Sequence, residues 1–544
     1  MRRVPLLLLA VVSLLAGVLP SAAEDAEAAP VCETVVDGAV VTPTAEDGTV
    51  VEGCPVSGSL YSVNEKTFEP TMGAAPDGSL YFSTTPGRGV AAGFGAGISR
   101  STDGGASWTD VSATVADRRM PLETNDPYIY VDPATGRIFE FHMAPILACA
   151  TLSYSDDAGS TWTTNPVGCG PTGAWDHQTM VAATPRTLAT TGYPNILHQC
   201  VNAVYAEMCS RSLDGGLTWS PSTVAWPNDK ASPGLVCGTQ TGHLQAAPDG
   251  TLYLPTSDCA TFPTVAVSRD DGLTWERVKV ADIAMPFDDP AVAVDQSGNV
   301  YVAFSDELGQ LWFSVSRDAG ATYSPPVKAA SNQVDAAKLA MTVGDDGKVA
   351  IAHVATGGIP GQEAGKNDLD DPWFVRWGAF LTTSLDALSD APTFTSLEVT
   401  GTDPLFRNAK ACGGGARCPY IVDFIEATVT PDGRPFGAFV DGCTEECATT
   451  PGGRNNVSGT TGTGVVATVD VDLCAERCAR FGAAPAGEPA PTTAAPAGLP
   501  AASPHLAPGA SPVPGLDLAT FTQLRDQATA ERMELATGGL ARPR

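Results

Sequence analysis

Positive charge is what this sequence has least of. Its 31 Lys and Arg stand against 61 Asp and Glu, a formal net charge of −30. A field of that sign repels phosphate backbones and anionic lipid, and no basic stripe interrupts it, which argues against nucleic acid and membrane surfaces as partners. Cations and basic partners are what it attracts. Long apolar runs are equally scarce. After the run at 4–19 nothing approaches the ~20 residues of a membrane-crossing helix, so no membrane span is expected. Histidine is rare too, with six in the chain, so any that recur at equivalent places stand out.

The sequence is rich in turn formers and cysteine, with 56 Gly, 44 Pro and 14 Cys. At the N-terminus, Arg2-Arg3, the short apolar run and Ser21-Ala22-Ala23 ahead of Glu24-Asp25 have the three parts of a secretory signal peptide, expected to occupy residues 1–23. The mature protein is then expected outside the cell, as a soluble monomer. An even number of cysteines in an exported chain favours disulfides. Cys149 with Cys169, Cys200 with Cys209 and Cys237 with Cys259 are the expected local pairs. Cys32 and Cys54, and Cys412 and Cys418, are also neighbours. The pairing of the closing group Cys443, Cys447, Cys474 and Cys478 stays open, and its two C-x3-C spacings also suit zinc.

One eight-residue pattern organises the chain: Ser212-Leu213-Asp214-Gly215-Gly216-Leu217-Thr218-Trp219. The same Ser, Asp, Gly and aromatic recur in register at 101–108, 155–162, 268–275 and 316–323, about fifty residues apart, as stacked or radial supersecondary units do. Asp binds the amides of a turn, Gly takes positive φ, and the aromatic opens the next strand. Upstream of the boxes lie hairpins built of β-branched and aromatic runs around Asp-Gly turns, at Gly78, Gly136, Gly250 and Gly298. A less regular unit covers 176–219. Two later units, turning at Gly347 and Gly433, keep the hairpin without a clean box; in the first, Ser384-Leu385-Asp386 begins a box that lacks its glycine. The reading is an all-β propeller of four-stranded antiparallel blades.

The five boxes resemble the Asp-box, or BNR, repeat of sialidases and related β-propeller proteins, over roughly residues 60–470. The resemblance implies that the box lies between the third and fourth strands of a blade, on the rim away from the ligand. Asp103, Asp157, Asp214, Asp270 and Asp318 are then scaffold, and the box aromatics are expected to pack between strands. Seven inner hairpins count seven blades; six, usual in the sialidase family, is the alternative. The propeller is expected over 58–480. The segment 24–57 is a candidate to close the last blade, whose missing outer strand is sought near 36–42 or 59–63. An Ala/Pro-rich linker at 481–515 and a short tail at 516–544 follow.

In such a blade the loop before the innermost strand faces the ligand. Those loops carry Glu69, Asp126, Asp176, His177, His243, Asp288, Asp289, Asp335 and Asp423, with Glu426 one step further on. Convergent carboxylates and imidazoles at a channel mouth supply a general acid, a base or cation ligands, calcium among them. His177 and His243 hold equivalent places in successive units and are expected near each other. Trp175, Trp373 and Trp377 are candidates to stack on sugar rings.

Sialidase chemistry, as the resemblance implies it, needs three arginines on the substrate carboxylate, a Tyr nucleophile paired with Glu, and an Asp acid/base. The family's Phe-Arg-Ile-Pro segment is missing; Arg119-Met120-Pro121 is a poor echo and follows the first box instead of preceding it. Arg118, Arg119, Arg376, Arg407 and Arg417 sit in no matching motif, so no catalytic residue carries over. Three readings remain: a drifted sialidase-like hydrolase, a non-catalytic binder of extracellular glycan or protein, and a cation-stabilised propeller. The acidic mouth favours a neutral glycan, a cation or a basic partner over sialic acid.

Overall fold

Alternating apolar runs broken every few residues by Asp-Gly turns leave the chain little choice but short antiparallel meanders. The computed structural model describes residues 31–43, 54–67, 69–84, 97–113, 128–142, 150–167, 176–202, 206–227, 241–257, 262–286, 289–331, 337–356, 376–401, 403–407, 425–444 and 462–482. They form seven four-stranded antiparallel units. Their innermost strands are Met72–Ala74, Tyr128–Val131, Asp176–Ala183, Gln245–Ala246, Ala291–Val294, Ala337–Val343 and Glu426–Val429. Each touches the next, and the seventh returns to the first, so the ring is closed. The molecule is a seven-bladed β-propeller, and the six-bladed alternative is set aside.

The seventh blade closes with the N-terminal strand Gly58–Thr67, which pairs antiparallel with Gly462–Val469 from Gly58↔Val469 to Thr67↔Gly462. Of the two stretches considered for that role, 59–63 therefore fills it. The strand within 24–57, Cys32–Val36, goes elsewhere: it lies against Thr393–Glu398 and adds a fifth strand to the sixth blade. Packing selects this place. Val35 is wholly enclosed in a cluster with Phe313, Phe380 and Phe394, and Asp37 accepts a hydrogen bond from the Lys328 amide at 3.0 Å on the fifth blade. The Cys32–Cys54 disulfide ties this segment down.

Every box joins a third strand to a fourth. In the first, Ser101 Oγ donates to Asp103 Oδ1 at 2.8 Å and accepts from the Gly105 amide at 2.9 Å, while Asp103 Oδ1 accepts from the Ser107 amide at 2.9 Å. The other boxes repeat this, with Gly159, Gly216, Gly272 and Gly320 in place of Gly105. The side-chain and backbone donors of Thr322, with Ser316, hold Asp318 down at about 2. The degenerate box keeps the logic: Ser384 Oγ donates to Asp386 Oδ1 at 3.0 Å, and the later Thr393 amide takes the place of the box amide at 2.8 Å. Of the aromatics, Trp162 is buried at 8% exposure. Trp108, Trp219, Trp275 and Tyr323 are half-buried, so truncating Trp219 should cost less than the ~3–5 kcal/mol of an enclosed Trp.

The box glycine is required twice over. Gly159 has φ +88, and a Cβ there would meet Val111 Cβ at 2.7 Å, whereas at Gly104 (φ +72) nothing lies within 4 Å. Gly159→Ala should therefore cost about 2–4 kcal/mol from left-handed strain plus overpacking. Gly104→Ala should cost ~1 kcal/mol or less, since Ala158 and Ala319 already occupy that box position at φ 58 and 56. Thermal unfolding of the two variants checks this; equal shifts would remove the packing argument.

Candidate functional site: the mouth of the axial channel

The beginnings of the inner strands converge on one end of the ring axis. Four of the sequence candidates meet there in two pairs. His177 Nδ1, on the third blade, lies 3.3 Å from Asp289 Oδ2 at the start of the fifth. His243 Nδ1, on the fourth, lies 2.8 Å from Glu426 Oε2 on the seventh. The histidines thus reach carboxylates on other blades, and the pairs criss-cross the mouth. The physical reason is radial: side chains at the narrow inner rim point across the axis as readily as to the adjacent blade. Asp289 and His177 are buried, while His243 and Glu426 side chains each remain 12% exposed. Asp289, His243 and Glu426 line one small pocket with Gly242, Leu339 and Met341.

Asp126, Asp288, Asp335 and Asp423 lie outside the described residues, and Asp176 is placed by backbone alone, opening the third inner strand opposite Asn202. Glu69 is buried at the start of the first blade. Among the described residues no three His, Cys, Asp or Glu side chains are grouped as metal ligands. Trp377 is not a stacking platform: it is 3% exposed, within a core cluster beside Leu405 and Phe406. Trp175 and Trp373 fall outside the described residues, as do Arg118, Arg119 and Arg417. Arg376 and Arg407 are placed by backbone, as antiparallel partners on the sixth blade.

The structure adds groups that the sequence reading missed. Glu140 and His142 are fully buried, 3.2 Å apart, within the strand Ile138–His142. Their signal was available, because i and i+2 share one face of a strand, here a polar pair inside a buried run. Glu207, also fully buried, accepts from Thr241 Oγ1 at 3.4 Å. Three non-glycine residues at the mouth take left-handed backbone: Glu69 (φ 50), His177 (φ 47) and Lys338 (φ 50). The last two sit at β-bulges in the third and sixth inner strands. Such strain costs about 1–3 kcal/mol per residue and gathers at functional sites.

Tyr128 closes one side of the mouth, its ring edge-on to His243 at 5.4 Å and its hydroxyl 3.3 Å from Thr179 Oγ1. Burial first, and the Glu426 charge second, push its pKa above the ordinary phenol value. The Tyr128 hydroxyl is thus engaged with Thr179 while Glu426 is engaged with His243.

The cysteines described here are all bonded. Cys200–Cys209 links two strands of the third blade, as expected. Cys474 pairs with Cys478, and Cys443 is bonded as well, which rules out zinc on the closing group. Cys149, Cys169, Cys237 and Cys259 lie outside the described residues.

Residues 173–367, spanning the third, fourth and fifth blades and the inner hairpin of the sixth, match the family described as BNR repeat-like domain. Within the seven-bladed propeller, these blades are similar to BNR repeats. Among solved structures, the propeller is similar to a protein of unknown function from Dyadobacter fermentans, at 14% identity over 76% of this chain and 98% of that one, TM-score 0.38. It is also similar to an α-L-arabinofuranosidase from Fusarium graminearum, at 14% identity over 63% and 96%, TM-score 0.39. A Hadza microbial sialidase matches at 19% identity over 58% and 70%, TM-score 0.37. No curated protein matches the sequence, and no helix among the described residues is long and apolar enough to cross a membrane.

Proposed function

We propose that this propeller is an exported protein that binds or processes extracellular glycans, with the sugar seated on the mouth of the axial channel. The observation that carries the reading is the convergence of two carboxylates and two imidazoles from four different blades on one end of the axis, paired His177–Asp289 and His243–Glu426. Imidazole–carboxylate pairs accept and donate toward hydroxyls while staying oriented, and two carboxyl groups flanking one pocket are the usual equipment of glycoside hydrolysis. Disulfides in the described blades suit an oxidising compartment.

The ligand class follows from charge. Asp289 and Glu426 in the pocket, within a chain of net charge −30, repel an anionic sugar unless arginines offset them. Neutral glycans are therefore the proposed ligands. A glycan array, run beside fluorogenic neutral glycosides and a fluorogenic sialoside, tests this. Binding or turnover confined to neutral sugars is expected. Robust sialoside turnover would overturn the ligand class, and a blank array with no turnover would leave the protein- or cation-binding readings in its place.

A further inference from the structure

A segment crosses the opposite end of the axial channel, and it carries the cationic side chain of Arg480. Residues 473–482 cross from the sixth and seventh blades to the first: the Leu473 amide donates to Gly433 O at 2.8 Å, the Cys478 amide to Pro431 O at 2.9 Å, and Arg477 Nη2 to Pro76 O at 2.7 Å. The Cys474–Cys478 disulfide braces this crossing. It ends in one 3-10 turn, Ala479–Phe481, whose residues line a cavity of about 320 Å³ inside the ring of inner strands.

Arg480 and Tyr130 both line that cavity. Arg480 makes no ion pair or side-chain hydrogen bond with any described residue, and Tyr130 is the group that its charge feels. The Tyr130 hydroxyl accepts from the Ala182 amide at 3.0 Å, and its own proton meets no acceptor among the described residues. Glu426, held by His243, stands at the other end of the cavity. The remaining lining is mixed, with Ala74, Val131 and Val294 beside the polar Asp132, Asn195 and Thr342. Arg480 is half-buried, and a guanidinium partly withdrawn from water without an anion carries a desolvation cost. Asp132 and Glu426 line the same cavity, yet among the described residues no carboxylate pairs with Arg480.

We infer that the axial cavity is a binding site for a small oxyanion, a carboxylate or a phosphate, held between the Arg480 guanidinium and the Tyr130 hydroxyl. The guanidinium fork presents parallel N–H donors to two oxygens, and the phenol supplies a third. The site lies at the far end of the channel from the mouth, so it stands independently of the sugar reading.

Titration calorimetry of the whole purified chain with sodium acetate and, separately, sodium phosphate, at constant ionic strength set with sodium chloride, tests it. Saturable binding at one site per chain is expected for at least one of the two. Affinity should fall at least tenfold in Arg480→Met and severalfold in Tyr130→Phe, which keeps the ring and removes only the donor. Comparing acetate with phosphate tells which oxyanion the cavity takes. Absence of saturable binding to the wild type overturns the inference, as does undiminished binding in Arg480→Met; should that variant fail to fold, undiminished binding in Tyr130→Phe does so instead.

Discussion

As pH falls from 6.5 towards 3, the folded protein is expected to lose about 1 kcal/mol of stability per pH unit for each of two histidines, His198 and His353. Both are enclosed between strands, and burial pulls each imidazole down to about 3. His353 stacks on Phe380 at 5.3 Å and bonds Thr382 Oγ1 at 2.9 Å. The unfolded chain therefore takes up protons that the folded chain refuses. Their contribution is whole above pH 6.5 and drains as pH drops through that window. Denaturant unfolding at pH 7 and pH 5 should show the loss, and His353→Gln should remove roughly half of the histidine-dependent slope. An unchanged slope in that variant would mean that His353 takes up a proton in the folded state.

The second large effect concerns the mouth. Glu426→Gln should weaken glycan binding ten- to hundredfold, the ~1.5–3 kcal/mol of a hydrogen bond to a charged group, because it discharges the partner that orients His243 at 2.8 Å. Asp214→Asn makes the opposite comparison. It weakens a box turn in which Asp214 Oδ1 accepts from the Thr218 amide at 2.9 Å, so it should lower thermal stability and leave affinity alone. Calorimetric affinities and melting temperatures of the two variants separate scaffold from site. A loss of binding in Asp214→Asn at temperatures where it is folded would place the ligand on the box rim.

What could be read from the sequence was local. A box closes its hydrogen bonds within eight residues, so Ser212, Asp214 and Gly216 announce it wherever the blade sits. An inner hairpin is announced by its Asp-Gly turn. Closure was legible only as a choice, because 36–42 and 59–63 are both short β-branched runs; the register with Gly462–Val469 that separates them is tertiary. At the mouth, His177, His243, Asp289 and Glu426 could be named from their place before inner strands. Their partners could not, since pairs that cross the axis depend on blade number and ring radius, which no local pattern encodes. Glu140 and His142 were hidden in a strand read for its apolar face. Arg480 was hidden by composition: the chain turns Ala/Pro-rich just after it, which marked a boundary where the structure puts the wall of a cavity.

The central claim is that the mouth, and not the box rim, receives the ligand. Hydrogen–deuterium exchange of the intact protein, with and without a saturating neutral glycan taken from the array, tests it most directly. Protection should appear at 177–180, 241–244 and 425–428, with the turns at 101–108, 212–219 and 316–323 unchanged. Protection of those box turns with an unaltered mouth would contradict the account.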